Sequence, residues 1–199
     1  MRRPTDPVLQ TRPHQAPRTR PARRYARPVP FGLYLHVPFC RHRCDYCAFA
    51  TWTDRQHLEA RYLAACERHV RDATANRPPV TSVFVGGGTP TLVDPDRLLA
   101  VIGAVPLAAG AEVTIECNPD DLDGARAMAY AAGGVTRISI GVQSMDPTVL
   151  ATLGREHDRA NVRRAVEAAH AAGLAVNVDL VYGAAGETLD QWSATLDAA

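Results

Sequence analysis

The stretch Leu33-Tyr34-Leu35-His36-Val37-Pro38-Phe39-Cys40-Arg41-His42-Arg43-Cys44-Asp45-Tyr46-Cys47 decides how the rest of the chain is read. Its first part alternates apolar and polar residues, the period of a β-strand with one dry and one polar face. Leu33, Leu35 and Val37 share one face, with Tyr34 and His36 on the other. Its second part sets three cysteines at C-x3-C-x2-C in a loop directly after that strand. A strand therefore delivers a knot of thiols to its own C-terminal end.

The same alternation recurs downstream. Strands are expected over 32–37, 82–86, 112–117, 136–142 and 175–182, and helices over 54–75, 95–104, 121–132, 158–172 and 188–199. Strands alternating with helices imply βαβ units and a parallel sheet. In the first helix Leu58, Tyr62, Ala65, Cys66, His69 and Val70 are expected on one face. In the third strand Val113, Ile115 and Cys117 oppose Thr114 and Glu116; in the fourth Ile138, Ile140 and Val142 oppose Ser139, Gly141 and Gln143. In the fifth Val176, Val178 and Leu180 oppose Asn177 and Asp179. An ordinary parallel sheet is buried on both sides and reads apolar throughout. Polar residues on a second face point instead to a curved sheet, apolar outward against its helices and polar inward around a ligand. Glu116, Gln143 and Asp179 fall near the C-terminal ends of their strands, where barrel active sites lie.

Three thiolates suit an iron–sulfur cluster, which ordinarily takes four and would here keep one iron open to a small molecule. Arg41 and Arg43 can offset thiolate and sulfide charge. The alternative is a structural zinc site with His36, His42 or His57 as fourth ligand; against it, zinc modules usually pair two C-x2-C units, and no second pair exists. Cys66 and Cys117 sit on apolar faces and read as core thiols. The second strand ends in Gly86-Gly87-Gly88-Thr89, a turn that lets the backbone approach a ligand closely. It lacks the signatures of a P-loop or a dinucleotide fingerprint.

Composition narrows the class. The chain of 199 residues is 46% hydrophobic and 22% charged, as for a globular protein. No uncharged stretch, Leu98–Ala111 included, is long enough to span a bilayer. The net charge of +1 averages two unlike parts. Residues 1–30 hold eight Arg, seven Pro and one acid, a composition that predicts a disordered, solvated arm. A transit peptide, a basic arm for RNA or membrane phosphates, and a mis-assigned start are the alternatives, and the prolines oppose the amphipathic helix of a transit peptide. Residues 31–199 carry a net −6, which argues against a nucleic-acid-binding body. Five βα units are counted, and the last stops without a cap near Ala199; a C-terminal truncation is expected.

Taken together, YLHVPFCRHRCDYC, FVGGGTPT, IECNPDD, SIGVQSMD, LGREHD and VNVDLVYG resemble the radical S-adenosylmethionine superfamily. Within it they resemble the oxygen-independent coproporphyrinogen III oxidases and their relatives, the HemW haem chaperones. The resemblance implies an α/β fold, a partial (β/α)6 barrel cut after about five units, with its sixth strand and C-terminal domain missing. It implies that Cys40, Cys44 and Cys47 ligate a [4Fe–4S] cluster. It also implies that Tyr34, Tyr46, Gly87, Gly88, Thr89, Glu116, Gln143, Arg155 and Asp179 contact S-adenosylmethionine, with Arg155 pairing a ligand carboxylate. The oxidases continue to a fourth cysteine two residues after the third; here that position is Phe49. This departure favours a chaperone that binds haem and passes it to an acceptor protein. The alternative is radical oxidative decarboxylation of a porphyrinogen. Either reading calls for an electron donor to the cluster, and an oxygen-sensitive cluster fits a reducing cytoplasm. His36, His42, His57, His69, His157 and His170 are all candidate haem ligands on chemistry alone.

Overall fold

The computed structural model describes residues 30–199, so the reading of the arm lies outside the described residues. In order come β1 (Gly32–Val37), a 3-10 turn (Gln56–Leu58), α1 (Glu59–Thr74), β2 (Val80–Gly87) and a second 3-10 turn (Pro90–Leu92). Then follow α2 (Pro95–Gly103), β3 (Leu107–Cys117), α3 (Gly124–Ala132), β4 (Arg137–Gln143), α4 (Pro147–Thr152), α5 (Arg159–Ala171), β5 (Ala175–Leu180) and α6 (Leu189–Ala198). The strands form one parallel sheet in the order β1-β2-β3-β4-β5. Each helical crossover returns the chain to a strand beside its predecessor.

Helix starts follow side-chain caps. Asp94 and Asp123 accept from the backbone N–H groups of Arg97 (3.1 Å) and Arg126 (2.7 Å). Asp158 with Asn161, and Thr188 with Gln191, form reciprocal capping boxes at α5 and α6. Asp146 caps α4, which the sequence reading left out: its start signal, Asp146-Pro147, is present, but six residues carry too little periodicity to declare a helix. β3 begins five residues before the expected 112, because Leu107 pairs with Val80 of β2 while Ala108–Ala111, with little intrinsic strand preference, lie in the register shift that follows. α1 also turns differently from expectation. It buries Leu63, Val70 and Thr74, with Tyr62 and Cys66 half-buried, while Ala65 and His69 face out.

The outward faces of the strands make the core. Val83, Val85, Val113, Ile115, Ile138, Ile140 and Val142 are buried under the helices with Leu63, Leu98, Ile102 and Tyr130. The opposite face carries Tyr34, His36, Phe84, Thr114, Glu116, Ser139, Asn177 and Asp179, in register across the five strands. The expected parity holds, with Phe84 as the apolar member. It stacks on Tyr34 at a centroid distance of 6.3 Å.

Candidate cofactor site

A cavity of about 340 Å³ opens at the C-terminal ends of the strands, between the sheet and the cysteine loop. Cys40, Cys44 and Cys47 border it, and so do Tyr46, Gly87, Gly88 and Thr89. Glu116, Gln143, Arg155 and Asp179 close its other walls. Of the residues that the resemblance assigns to the cluster and S-adenosylmethionine, Tyr34 alone does not line it. Tyr34 lies one layer nearer the strand N-termini, and its hydroxyl meets His36 Nδ1 at 3.0 Å.

The cysteine loop is held by hydrogen bonds at both ends. Cys40 N–H donates to the Trp52 carbonyl (3.1 Å) and Trp52 N–H to the Pro38 carbonyl (2.8 Å). Gln56 Nε2 donates to the Cys40 carbonyl at 2.8 Å, and His36 Nε2 lies 2.9 Å from the Ala50 carbonyl. That contact requires a proton on Nε2, and with Tyr34 at Nδ1 both ring nitrogens are engaged. The glycine turn docks on this loop through its backbone. Gly88 N–H donates to the Val37 carbonyl (2.7 Å) and Thr89 N–H to the Phe39 carbonyl (2.8 Å). A Cβ at Gly88 would stand 2.6 Å from the Phe39 carbonyl oxygen and 3.0 Å from Cys40 Sγ. Gly87, at φ 115°, faces the His36 ring at a distance that leaves no room for a side chain.

The charges are arranged differently from the sequence expectation. Arg41 pairs with buried Asp121 at 2.6 Å. Arg43 reaches only the Cys47 carbonyl, at 3.4 Å. Both side chains find a stronger acceptor than a thiol within reach. The guanidinium that meets a cysteine is Arg155, whose Nη1 lies 3.6 Å from Cys44 Sγ. Its Nη2 donates to Asn118 Oδ1 (2.9 Å) and to the Gly141 carbonyl (2.7 Å), so Arg155 is already a fixed part of the wall.

Burial raises the Glu116 carboxyl above its ordinary value, the Gly87 N–H it accepts (3.1 Å) opposes this, and Asp179 adds to the rise. Burial likewise lifts the Cys40 thiol, against hydrogen bonds from Thr89 and Thr51, and pushes the Tyr46 phenol up to about 12. Gln143 adopts φ 64°, a left-handed conformation unusual outside glycine, at the bulge that ends β4. Such strain is often concentrated at ligand sites. His157 is buried, with Nε2 2.9 Å from the Val142 carbonyl, so it serves the core and is withdrawn from the candidate haem ligands. Cys117 is buried in the core as expected, and Cys66 packs against its edge.

The donor set fits an iron–sulfur group. All three loop cysteines are free thiols bordering one cavity, with a fixed cation at one of them. With both ring nitrogens engaged, His36 is unavailable as a fourth zinc ligand.

Asn118 and Ser139 also border the cavity and were not singled out from the sequence. The two-residue period of Thr114 and Glu116, carried one step past the strand end, reaches Asn118.

A parallel βα sheet with a three-cysteine loop above its C-terminal edge, a glycine turn docked on that loop and acids on the inner face defines a radical S-adenosylmethionine protein. Residues 34–199 match the Radical SAM superfamily, and the chain belongs to it. Membership implies a [4Fe–4S] cluster and S-adenosylmethionine as cofactors. Among individual proteins, the chain is 42% identical over 180 residues to the heme chaperone HemW of Mycobacterium tuberculosis, covering 85% of this chain and 46% of that protein. It is 38% identical over 161 residues to the oxygen-independent coproporphyrinogen III oxidase of Paracoccus denitrificans, covering 76% of this chain and 36% of that protein. The structure of the Escherichia coli coproporphyrinogen III oxidase HemN, described as a radical SAM enzyme, superposes with a TM-score of 0.75 at 30% identity, over 84% of this chain and 41% of that one. The chain thus spans less than half the length of each. No helix among the described residues is long and apolar enough to cross a membrane.

Proposed function

We propose that this chain is the cluster-bearing part of a HemW-like haem chaperone, which binds haem and hands it to an acceptor protein. Cys40, Cys44 and Cys47 would hold the cluster. Gly87, Gly88 and Thr89 would lie along S-adenosylmethionine, with Tyr46 and Gln143 beside it. Glu116 and Asp179 would meet its amine or ribose hydroxyls, and Arg155 would complete the wall. When bound, this pair supplies one-electron chemistry or, in a chaperone, a retained structural and regulatory centre. Tyr34 would act through His36, which holds the far end of the cysteine loop.

Phe49 carries the choice between the readings. It occupies the place of the oxidases' fourth cysteine, borders the cavity and is 63% exposed. An exposed ring on a cavity that Tyr46 also lines suits the flat face of a porphyrin better than another thiol would. The greater identity to the M. tuberculosis chaperone points the same way. The second reading, an oxygen-independent coproporphyrinogen III oxidase, is favoured by the P. denitrificans relative and by the fold neighbour.

Anaerobic reconstitution with iron and sulfide, followed by haemin titration and a coproporphyrinogen turnover assay, separates the two. Stoichiometric haem binding without porphyrinogen turnover is expected. Robust decarboxylation by the reconstituted chain, restricted to reduced cluster and S-adenosylmethionine, overturns the chaperone reading.

A further inference from the structure

One side chain outside the expected set connects the cluster loop to the sheet. Asn118 follows directly on β3 and borders the cavity. Its Oδ1 accepts from Arg155 Nη2 at 2.9 Å, and Arg155 Nη1 reaches Cys44 Sγ at 3.6 Å. Its Nδ2 donates to Thr89 Oγ1 at 3.3 Å, and that hydroxyl reaches Cys40 Sγ at 3.8 Å. The same Nδ2 approaches Asp121 Oδ2 at 3.4 Å, while Asp121 Oδ1 holds Arg41, the neighbour of Cys40. A guanidinium only donates, so the amide orientation is fixed by chemistry: oxygen to Arg155, nitrogen to the hydroxyl and the carboxylate.

We infer that Asn118 is a positioning residue for the cluster: one amide that ties Cys44 through Arg155, and Cys40 through Thr89 and Asp121–Arg41, to the top of β3. Cys40, Cys44 and Cys47 are all only partly buried. Partners behind the ligands orient them, and losing one typically costs about 10–100-fold in metal affinity. Asparagine serves both arms because it presents an acceptor and a donor at once. Aspartate would keep the Arg155 arm and lose the other, setting a second carboxylate against Asp121. Asn118 acts in the same way whichever substrate the cavity takes.

Two measurements on the full chain test this, one without the cluster. In the cluster-free chain, hydrogen exchange over residues 40–47 reads the loop directly. Asn118→Leu, of similar size and without polar groups, is expected to speed that exchange and to leave the sheet peptides unchanged. In the anaerobically reconstituted chain, Asn118→Leu is expected to lose iron to a chelator about tenfold faster than the parent. Its cluster midpoint potential should move in the direction given by Arg155→Met, since both withdraw the same cation from Cys44. Because Asn118 acts partly through Arg155, the double variant should fall short of the product of the single effects. Asn118→Asp keeps the shape and polarity of the site should the leucine variant misfold, and is expected to loosen Cys40 while holding Arg155. Parent-like exchange and iron release in both Asn118 variants, or fully multiplicative effects in the double variant, overturn the assignment.

Discussion

The two faces of the one sheet do opposite work. On the outer face Ile115, Ile138, Ile140 and Val142 are fully buried beneath the helices, held by the removal of apolar surface from water. One residue further along β3, Glu116 points the other way into the cavity, held above its ordinary carboxylate range by burial and by nearby Asp179. The outer face stabilises the fold and touches no ligand. The inner face gathers like charges and half-desolvated polar groups that contribute little to folding. Neighbouring residues can therefore be expected to fail in different ways.

The sharpest break of that comparison is Ile115→Ala. It leaves a cavity in the closed core and is expected to cost about 2–5 kcal/mol, read from denaturant unfolding. Glu116→Gln, its neighbour, should leave the chain at least as stable at pH 7, since a neutral amide relieves both burial of charge and repulsion from Asp179. The same change should weaken S-adenosylmethionine binding to the reconstituted chain by about tenfold, the loss of one charge-assisted contact. A stability loss comparable to that of Ile115→Ala would show that Glu116 belongs to the fold instead. Asp158→Ala removes one half of the capping box of α5, on the outer layer, and should cost about 1 kcal/mol in the same unfolding measurement with no change in ligand binding.

The smallest effect is a pH dependence. Burial, with Arg155 adding to it, holds the His157 imidazole below its ordinary 6.5. The unfolded chain therefore takes up a proton that the folded chain resists. The contribution of His157 is complete above about pH 6.5 and is lost as pH falls below it. His157→Gln, which keeps a donor for the Val142 carbonyl, should flatten the acid side of the melting-temperature profile while leaving it unchanged at pH 8. An unaltered acid limb would remove His157 from that dependence.

Much of this was written in local patterns. Strand parity placed Glu116, Ser139, Asn177 and Asp179 on one face because alternation is a property of the extended backbone. The cysteine spacing marked its loop, and the glycine run marked a close approach, since Gly88 has the Phe39 carbonyl where a Cβ would go. The short helix α4 and the early start of β3 were hidden for the converse reason: six residues carry no reliable period, and the first residues of β3 join the sheet only through the pairing of Leu107 with Val80 of β2.

By itself, then, the sequence determined which faces are dry, where the thiols lie, and the superfamily to which the chain belongs. Those are matters of residue type and spacing along a few covalently adjacent positions. Only the tertiary structure decided which cation meets which anion. Arg41 and Arg43 lie beside the cysteines in sequence, yet Asp121 and a carbonyl claim them, and the guanidinium at Cys44 comes from Arg155, 111 residues away. The hub at Asn118 is of the same kind. Hydrogen bonds between side chains depend on distances of a fraction of an ångström, and folding alone brings such partners together.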